Sequence, residues 1–302
     1  MGSKTKIKWW DSTWNPIVGC SPISNGCINC YARRIVKRFT TITGISLGPE
    51  LEPIGWDGRA HFMPYKLEQP LHWRKPRRIF VCSMGDLFHS SITNEQIASV
   101  FGVMAACSQH TFIILTKRPG RAVEWFKFSW FDSLSVNRIM PGNRELIACC
   151  KGATSNGMTP NLVGYDTIGG IKHGCTWPLT NVWLGVSVED QKTADDRIPK
   201  LLEIPVAKRF VSVEPMLKEM DLQYQRGWLE PFVETDPMLN KTPRVDWIIV
   251  GAETGPHKRP MNIDWARSLR DQCIEANVPF FFKKDGFGRH ELDGQIWEQF
   301  PK

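Results

Sequence analysis

The chain has 302 residues, 42% of them hydrophobic, which is enough for one large buried core. It lacks an apolar run of about 18 residues or more and an N-terminal secretory signal, so we expect a cytoplasmic protein without membrane association. The net charge of +7 favours a polyanionic or phosphorylated partner, and nine cysteines without secretory features favour metal or redox chemistry over disulfides.

The first distinctive segment in chain order is a loop with three cysteines. Cys20, Cys27 and Cys30 have the spacing C-x6-C-x2-C in a stretch rich in Gly, Pro, Ser and Asn. Such a loop can wrap an iron–sulfur cluster, because cysteine thiolates hold its irons. Three thiolates on a four-iron cube leave one iron open to a substrate or cofactor. A basic helix predicted at 32–39 would place its N-terminal end, which favours negative charge, beside the cluster.

Other uses of these cysteines stay open at this stage. Zinc could bind the three thiolates together with His61 or another distant ligand. Unligated core cysteines are less compatible with a loop of this composition. A disulfide with one spare thiol does not suit a reducing compartment.

Six short apolar runs follow, separated by helical patterns. The runs are 78–84, 111–117, 181–189, 209–214, 246–253 and 278–283. They are almost continuously apolar, as expected for parallel strands covered on both faces. Helices are predicted at 94–106, with Thr93 as a cap, at 194–202 and at 264–276. This alternation predicts one parallel α/β domain over 1–302, either a full or partial barrel or an open sheet.

Polar residues recur where the predicted strands end. They are Asp86, Lys117, Glu189, Glu214, Glu253 and Lys283. The carboxyl ends of barrel strands and their loops form the site, so the series favours a barrel. Strand ends that meet water would explain any one of these residues, but less well a series with both signs of charge.

Two regions interrupt the pattern and are predicted to be irregular insertions, at about 40–77 and 128–179. The second contains Cys149, Cys150, His173 and Cys175. These side chains could bind zinc or a second cluster, although adjacent cysteines are poor chelating geometry.

Eight motifs carry a resemblance to a known family. They are T-W-N-P (13–16), C-x6-C-x2-C-Y-A (20–32), S-M-G-D-L-F (83–88), I-L-T-K-R-P (114–119), L-G-V-S-V-E-D-Q (184–191), R-F-V-S-V-E-P (209–215), W-I-I-V-G-A-E-T-G (247–255) and F-F-F-K (280–283). Together they resemble the phage Gp37/Gp68 family, the three-Cys-motif proteins, over nearly the whole chain except 128–179. The resemblance implies an α/β fold of the radical-SAM type, a partial (β/α)6 barrel distantly similar to spore photoproduct lyase. The usual spacing in radical SAM proteins is C-x3-C-x2-C, so this loop is three residues longer.

The resemblance also implies roles for individual residues. Cys20, Cys27 and Cys30 would hold a [4Fe–4S] cluster whose fourth iron takes the methionine end of S-adenosylmethionine (SAM), which is cleaved to a 5′-deoxyadenosyl radical. The residues expected around SAM are Ser83, Gly85, Asp86, Ser187, Glu189, Gly251 and Glu253. Asp86 could instead cap the following helix, and Gly251 with Glu253 could form a simple turn.

Four further residues are expected in the substrate cavity: Lys117, Arg118, Glu214 and Lys283. Their cations suit a phosphate or carboxylate, although Lys117 and Glu214 could instead form a structural ion pair. The leading hypothesis is a radical SAM enzyme acting on a nucleic acid, nucleotide or modified base in phage DNA modification or repair, with a reductase or flavodoxin as electron donor. The alternatives are an iron–sulfur or zinc-containing nucleic-acid-binding module without SAM chemistry, and a barrel enzyme for phosphorylated metabolites.

Overall fold

A curled, seven-stranded parallel sheet forms a half-barrel in the computed structural model, which describes residues 9–36, 57–131, 178–224, 226–229 and 243–302. In spatial order the strands are β1 (Ser12–Trp14), β4 (Arg78–Val81), β5 (Thr111–Thr116), β6 (Val182–Val188), β7 (Lys208–Val213), β8 (Trp247–Gly251) and β9 (Phe280–Lys284). Each strand is parallel to its neighbours. This architecture is compatible with the predicted partial α/β barrel.

Helices connect most of the strands. They are α1 (31–36), α2 (Asn94–Ala106), α3 (Pro119–Phe131), α4 (Gln191–Glu203) and α5 (Ile263–Glu275). Four of them match predicted helices to within a few residues, whereas α3 was not predicted. Proline suits its first position, where the missing N–H has no helical partner to lose. No helix among the described residues is long and apolar enough to cross a membrane.

The strands divide their side chains between two cores. Alternate residues, such as Leu184 and Val186 of β6, pack between the sheet and the helices. The residues between them belong to a second cluster inside the curl, formed mainly by Trp9, Trp10, Phe80, Ile113, Phe210, Trp247, Ile249 and Phe281. Gly185 leaves room there for the ring of Phe210, because a Cβ at this position would lie 2.6 Å from two ring carbons. Aromatic side chains therefore fill the interior of the half-barrel towards the amino ends of the strands.

The last residues of the chain pack against this interior cluster. A hairpin of β10 (Glu291–Leu292) and β11 (Gln295–Ile296) precedes them. The ring of Phe300 lies 5.3 Å from that of Trp247, whose Nε1 donates to the carbonyl of Gln299 at 2.8 Å. The tail thus completes the core at the amino ends of the strands.

Two sequence predictions need correction in detail. The predicted strands did not include β1, nor the short pair of β2 (Ile17–Val18) and β3 (His61–Phe62). The region 40–77 was predicted to be an irregular excursion, but its described part, 57–77, packs on the domain and fully buries Met63 and Leu67. Residues 40–56 and 132–177, with Cys149, Cys150, His173 and Cys175, lie outside the described residues.

A capping box at the start of α2 provides a test of the fold. The Thr93 hydroxyl oxygen accepts a hydrogen bond from the backbone N–H of Gln96 at 3.3 Å. The Gln96 side-chain oxygen accepts one from the backbone N–H of Thr93 at 3.0 Å. We expect Thr93→Ala to lower the free energy of unfolding by about 1 kcal/mol. Urea denaturation measures this loss, and Thr93→Ser, which keeps the hydroxyl, serves as the control. Equal midpoints for the two variants would contradict the capping role.

Candidate functional site

A cavity of about 610 Å³ lies inside the half-barrel at the carboxyl ends of the strands. All three loop cysteines line it. Nine of the other predicted site residues line it as well: Ser83, Gly85, Asp86, Lys117, Arg118, Ser187, Glu214, Glu253 and Lys283. The structure thus brings the cysteine loop together with residues from the ends of most of the predicted strands. Glu189 and Gly251 lie just behind the wall rather than in it.

The cysteine loop runs from β2 to α1. Cys20 follows β2, Cys27 ends a single 3-10 turn, and the carbonyl of Cys30 accepts the Arg34 amide at 3.3 Å at the start of α1. The three thiols are free and partly exposed. The helix therefore begins directly at the third cysteine, as predicted.

No three His, Cys, Asp or Glu side chains in the described ranges come close enough to share one metal ion. Ligands of a single tetrahedral zinc must all approach the same centre. In an iron–sulfur cube each thiolate binds a different iron, so the three sulfurs stay farther apart. The three thiols of the loop line one cavity.

Arg118 holds the first cysteine in place. Its Nη1 donates to the Cys20 sulfur and to Asp86 Oδ2, both at 3.3 Å, and its Nη2 donates to the Ser21 carbonyl at 2.9 Å. Burial, with the Asp86 charge adding to it, raises the pKa of Cys20 to about 11. Asp86 also accepts the hydroxyl of Thr116 at 2.7 Å. Asp86 therefore joins the turn after β4 to β5 and to Arg118, and Arg118 contacts Cys20 and Ser21 of the loop.

Cys27 differs from Cys20 in its electrostatic environment. Burial raises its pKa, but hydrogen bonds with the backbone of Ile23 and Ser24 and the charge of Lys117 outweigh it and hold the pKa below the ordinary value. The thiolate, which is the form that binds metals, is therefore easier to reach at Cys27 than at an ordinary cysteine.

Glu189 forms a buried centre behind the loop. Its carboxylate accepts Lys117 Nζ at 2.7 Å, Arg197 Nη1 at 3.0 Å and the hydroxyl of Ser24. Burial raises the pKa of Glu189, but the charges of Lys117 and Arg197 lower it by more. The carboxylate therefore stays charged. A Cβ on Gly26 would overlap the same carboxyl group. The alternative of an ion pair between Lys117 and Glu214 is wrong, because Lys117 pairs with Glu189 and Glu214 pairs with Lys283.

Glu253 holds the other end of the cysteine loop. It accepts Asn29 Nδ2 at 2.9 Å, the Arg259 amide at 2.8 Å and the Arg259 guanidinium. Burial raises its pKa, but these hydrogen bonds lower it to about 2. The carboxylates of Glu189 and Glu253 thus bind the loop on either side of Cys27, through Ser24 and Asn29.

Glu214 meets Lys283 across β8, with 2.8 Å between Oε1 and Nζ. Gly251 makes this possible, because a Cβ there would lie 2.7 Å from Glu214 Oε1. The Ser212 hydroxyl donates to Glu214 Oε2 at 3.3 Å. Gly251 therefore lies against this pair, and its predicted contact with adenine stays a prediction.

The turn at 83–86 is tied to the chain before the cysteines. Asn15 Oδ1 accepts the Ser83 hydroxyl at 3.1 Å and the Met84 amide at 3.0 Å, and the Tyr31 hydroxyl donates to the Ser83 carbonyl. A Cβ on Gly85 would lie 3.0 Å from two backbone oxygens, one of them that of Gly19. The absence of a side chain at Gly85 was expected to let a ligand approach the backbone. It is already required because another backbone segment of the chain packs there.

Several site residues were not predicted from the sequence. They are Asn15, Ser24, Asn29, His89, Arg197 and Arg259. Asn15, Ser24 and Asn29 lie within or beside the motifs, so attention to polar side chains there would have found them. Nothing in the sequence marks Arg197 or Arg259 as partners of Glu189 and Glu253.

The fold and the site define an α/β half-barrel protein with a three-cysteine loop at the carboxyl edge of its sheet. A family model described as "Protein of unknown function (DUF5131)" matches residues 4–301, and the chain belongs to this family. Comparison with curated proteins and with solved structures gave no match. The function is therefore argued from the site.

Proposed function

We propose that the chain is a radical SAM enzyme related to the phage Gp37/Gp68 family, with a [4Fe–4S] cluster on Cys20, Cys27 and Cys30. The observation that carries this proposal is that three free thiols of one loop line a single cavity at the carboxyl edge of a parallel half-barrel. A reduced cluster and SAM supply the chemistry, which is cleavage of SAM to a 5′-deoxyadenosyl radical.

The residues of the chain orient the cluster and balance its charge. Arg118 donates to the Cys20 sulfur at 3.3 Å, and Lys117 lies near enough to Cys27 to lower its pKa. Both contacts favour the thiolate form that ligation requires, although burial and the Asp86 charge outweigh the effect of Arg118 and leave the pKa of Cys20 raised to about 11. The backbone N–H groups at the start of α1, directly after Cys30, favour negative charge in the same place. Ser83, Ser187 and Glu253 line the cavity, and their oxygens would accept hydrogen bonds from the hydroxyls and the amino group of SAM.

The net charge of +7 supports a polyanionic substrate, so we include a nucleic acid, nucleotide or modified base in the proposal. Phage DNA modification or repair is the process in which such a substrate would be met. A reductase or flavodoxin would supply the electron. The cytoplasm is the compartment in which reduced thiols persist.

The proposal is tested by anaerobic reconstitution with iron and sulfide. The loaded protein is expected to absorb at about 400 nm through iron–sulfur charge transfer and, once reduced, to convert SAM into 5′-deoxyadenosine. Cys30→Ser should lower iron content and this product by about tenfold or more, because a thiolate ligand is lost. Cys107→Ala, a buried cysteine outside the cavity, is the control. One equivalent of zinc without this absorbance would contradict the proposal and favour the binding module.

A further inference from the structure

A polar pair surrounded by aromatic rings forms one part of the cavity wall. Glu214 and Lys283 lie 2.8 Å apart, and the Lys283 ammonium is 5.9 Å from the ring centre of Trp10. Trp9 and Phe80 line the same cavity. The proposed cofactor chemistry leaves this pair without a role.

Three of the four cations that line the cavity already have a carboxylate partner. Lys117 pairs with Glu189, Arg118 with Asp86 and Lys283 with Glu214. Within the described ranges only the fourth cation, Lys284, lacks an ion pair. A phosphate that contacted Lys117, Arg118 or Lys283 would lie beside the carboxylate already paired with that cation, and the two negative charges repel each other. Apart from Lys284, the cavity wall is therefore a poor receptor for an anion, contrary to the expectation for Lys117 and Arg118.

The pair is instead suited to a neutral polar group. An ammonium has donors left after one contact, and a carboxylate oxygen has further acceptor capacity. Side by side, they match a ring edge that carries an acceptor and a donor. The aromatic side chains suit the faces of such a ring. Gly251 preserves this arrangement, because any side chain there would collide with Glu214.

We propose that the group entering this cavity is an uncharged, planar heteroaromatic ring of the nucleobase type, recognised by Glu214 and Lys283, with any attached phosphate left outside the cavity. The inference rests on the proposed function, because it names the substrate of the same cavity. From the sequence, the cations of the cavity were expected to bind a phosphate or carboxylate of the substrate. Recognition is instead assigned to the heteroaromatic ring.

The test is a binding measurement, so it requires no turnover. Titration calorimetry on the reconstituted full chain, saturated with S-adenosylhomocysteine to fill the proposed cofactor position, compares four neutral nucleosides with inorganic phosphate. At least one nucleoside should bind about tenfold more tightly than phosphate. Phosphate binding as tightly as every nucleoside would overturn the inference, as would no nucleoside binding. Loss of 5′-deoxyadenosine formation with nucleoside binding retained would instead count against the proposed function alone.

A variant of the pair sharpens the test. Glu214→Gln keeps the side-chain shape but leaves Lys283 without a counter-charge, so nucleoside binding should weaken about tenfold and phosphate binding should strengthen. Lys127→Met, which removes a surface cation paired with Glu203, should change neither affinity. An unchanged nucleoside affinity in folded Glu214→Gln would overturn the inference. If that variant does not fold, Lys283→Gln makes the same test of nucleoside binding.

The source of the ring is distinguished in the same assay. Tighter binding of a single-stranded oligonucleotide than of the free nucleosides would identify a nucleic-acid strand as the source, and equal or weaker binding would identify a free nucleoside. Both outcomes support the ring class, provided that the Glu214→Gln substitution weakens the binding.

Discussion

Replacing Glu189 by alanine is expected to destabilise the protein by about 3–5 kcal/mol. The substitution leaves the ammonium of Lys117 and the guanidinium of Arg197 without their shared carboxylate. Arg197 is only 4% exposed, so water cannot replace the lost partner. Urea denaturation followed by circular dichroism measures the loss.

Glu203→Ala provides the matched control for this prediction. Glu203 also accepts from a lysine, Lys127, at 2.9 Å, but the two side chains are 49% and 60% exposed. We expect a loss below about 1 kcal/mol, because solvent screens a surface pair. Similar losses in the two variants would show that burial adds nothing to the Glu189 centre.

Gly26→Ala is expected to lower cluster retention about tenfold or more while the domain stays folded, because a displaced loop no longer presents its ligands correctly. Gly26 lies directly against the Glu189 carboxyl group, and an added Cβ would overlap it. The loop must then shift, and it carries Cys27 in the next position. Iron and sulfide per folded chain after reconstitution measure the effect.

The control for Gly26→Ala is Gly120→Ala. Gly120 lies in the first turn of α3, where an added Cβ would meet nothing within 4 Å. Cluster retention should therefore be unchanged. A second measurement does not depend on the cluster: the alkylation rate of Cys27 should change in Gly26→Ala if the loop moves. If both the alkylation rate and the iron content were unchanged, Gly26 would not be needed to position the loop.

The sequence predicted the parallel α/β framework because long, doubly buried strands are visible as continuous apolar runs. The five residues of β8 are buried throughout, and its run was easily recognised. β1 escaped notice because it has three residues, Ser-Thr-Trp, which form no apolar run. Helix α3 was hidden because its apolar residues adjoin the region assigned to an insertion.

At the site, the sequence predicted which residues gather but not how they pair. Polar strand ends identify one edge of the sheet, so the shared cavity followed directly. Pairing depends on which strands are neighbours: Lys117 follows β5 and meets Glu189 after β6, the adjacent strand. Glu214 reaches past β8 to Lys283 only because Gly251 has no side chain, and such a gap is visible only in three dimensions.

The aromatic interior joins parts of the chain that are far apart in sequence. Trp9 packs against Phe80 and Trp247, and Trp247 packs against Phe300 near the last residue. Contacts between residues so far apart in sequence form slowly, because the entropy of closing a large loop is lost before the contacts stabilise the chain. During synthesis the cysteine loop therefore emerges well before the rings beneath it can assemble. The cavity that the three thiols line can therefore form only after most of the chain has been made.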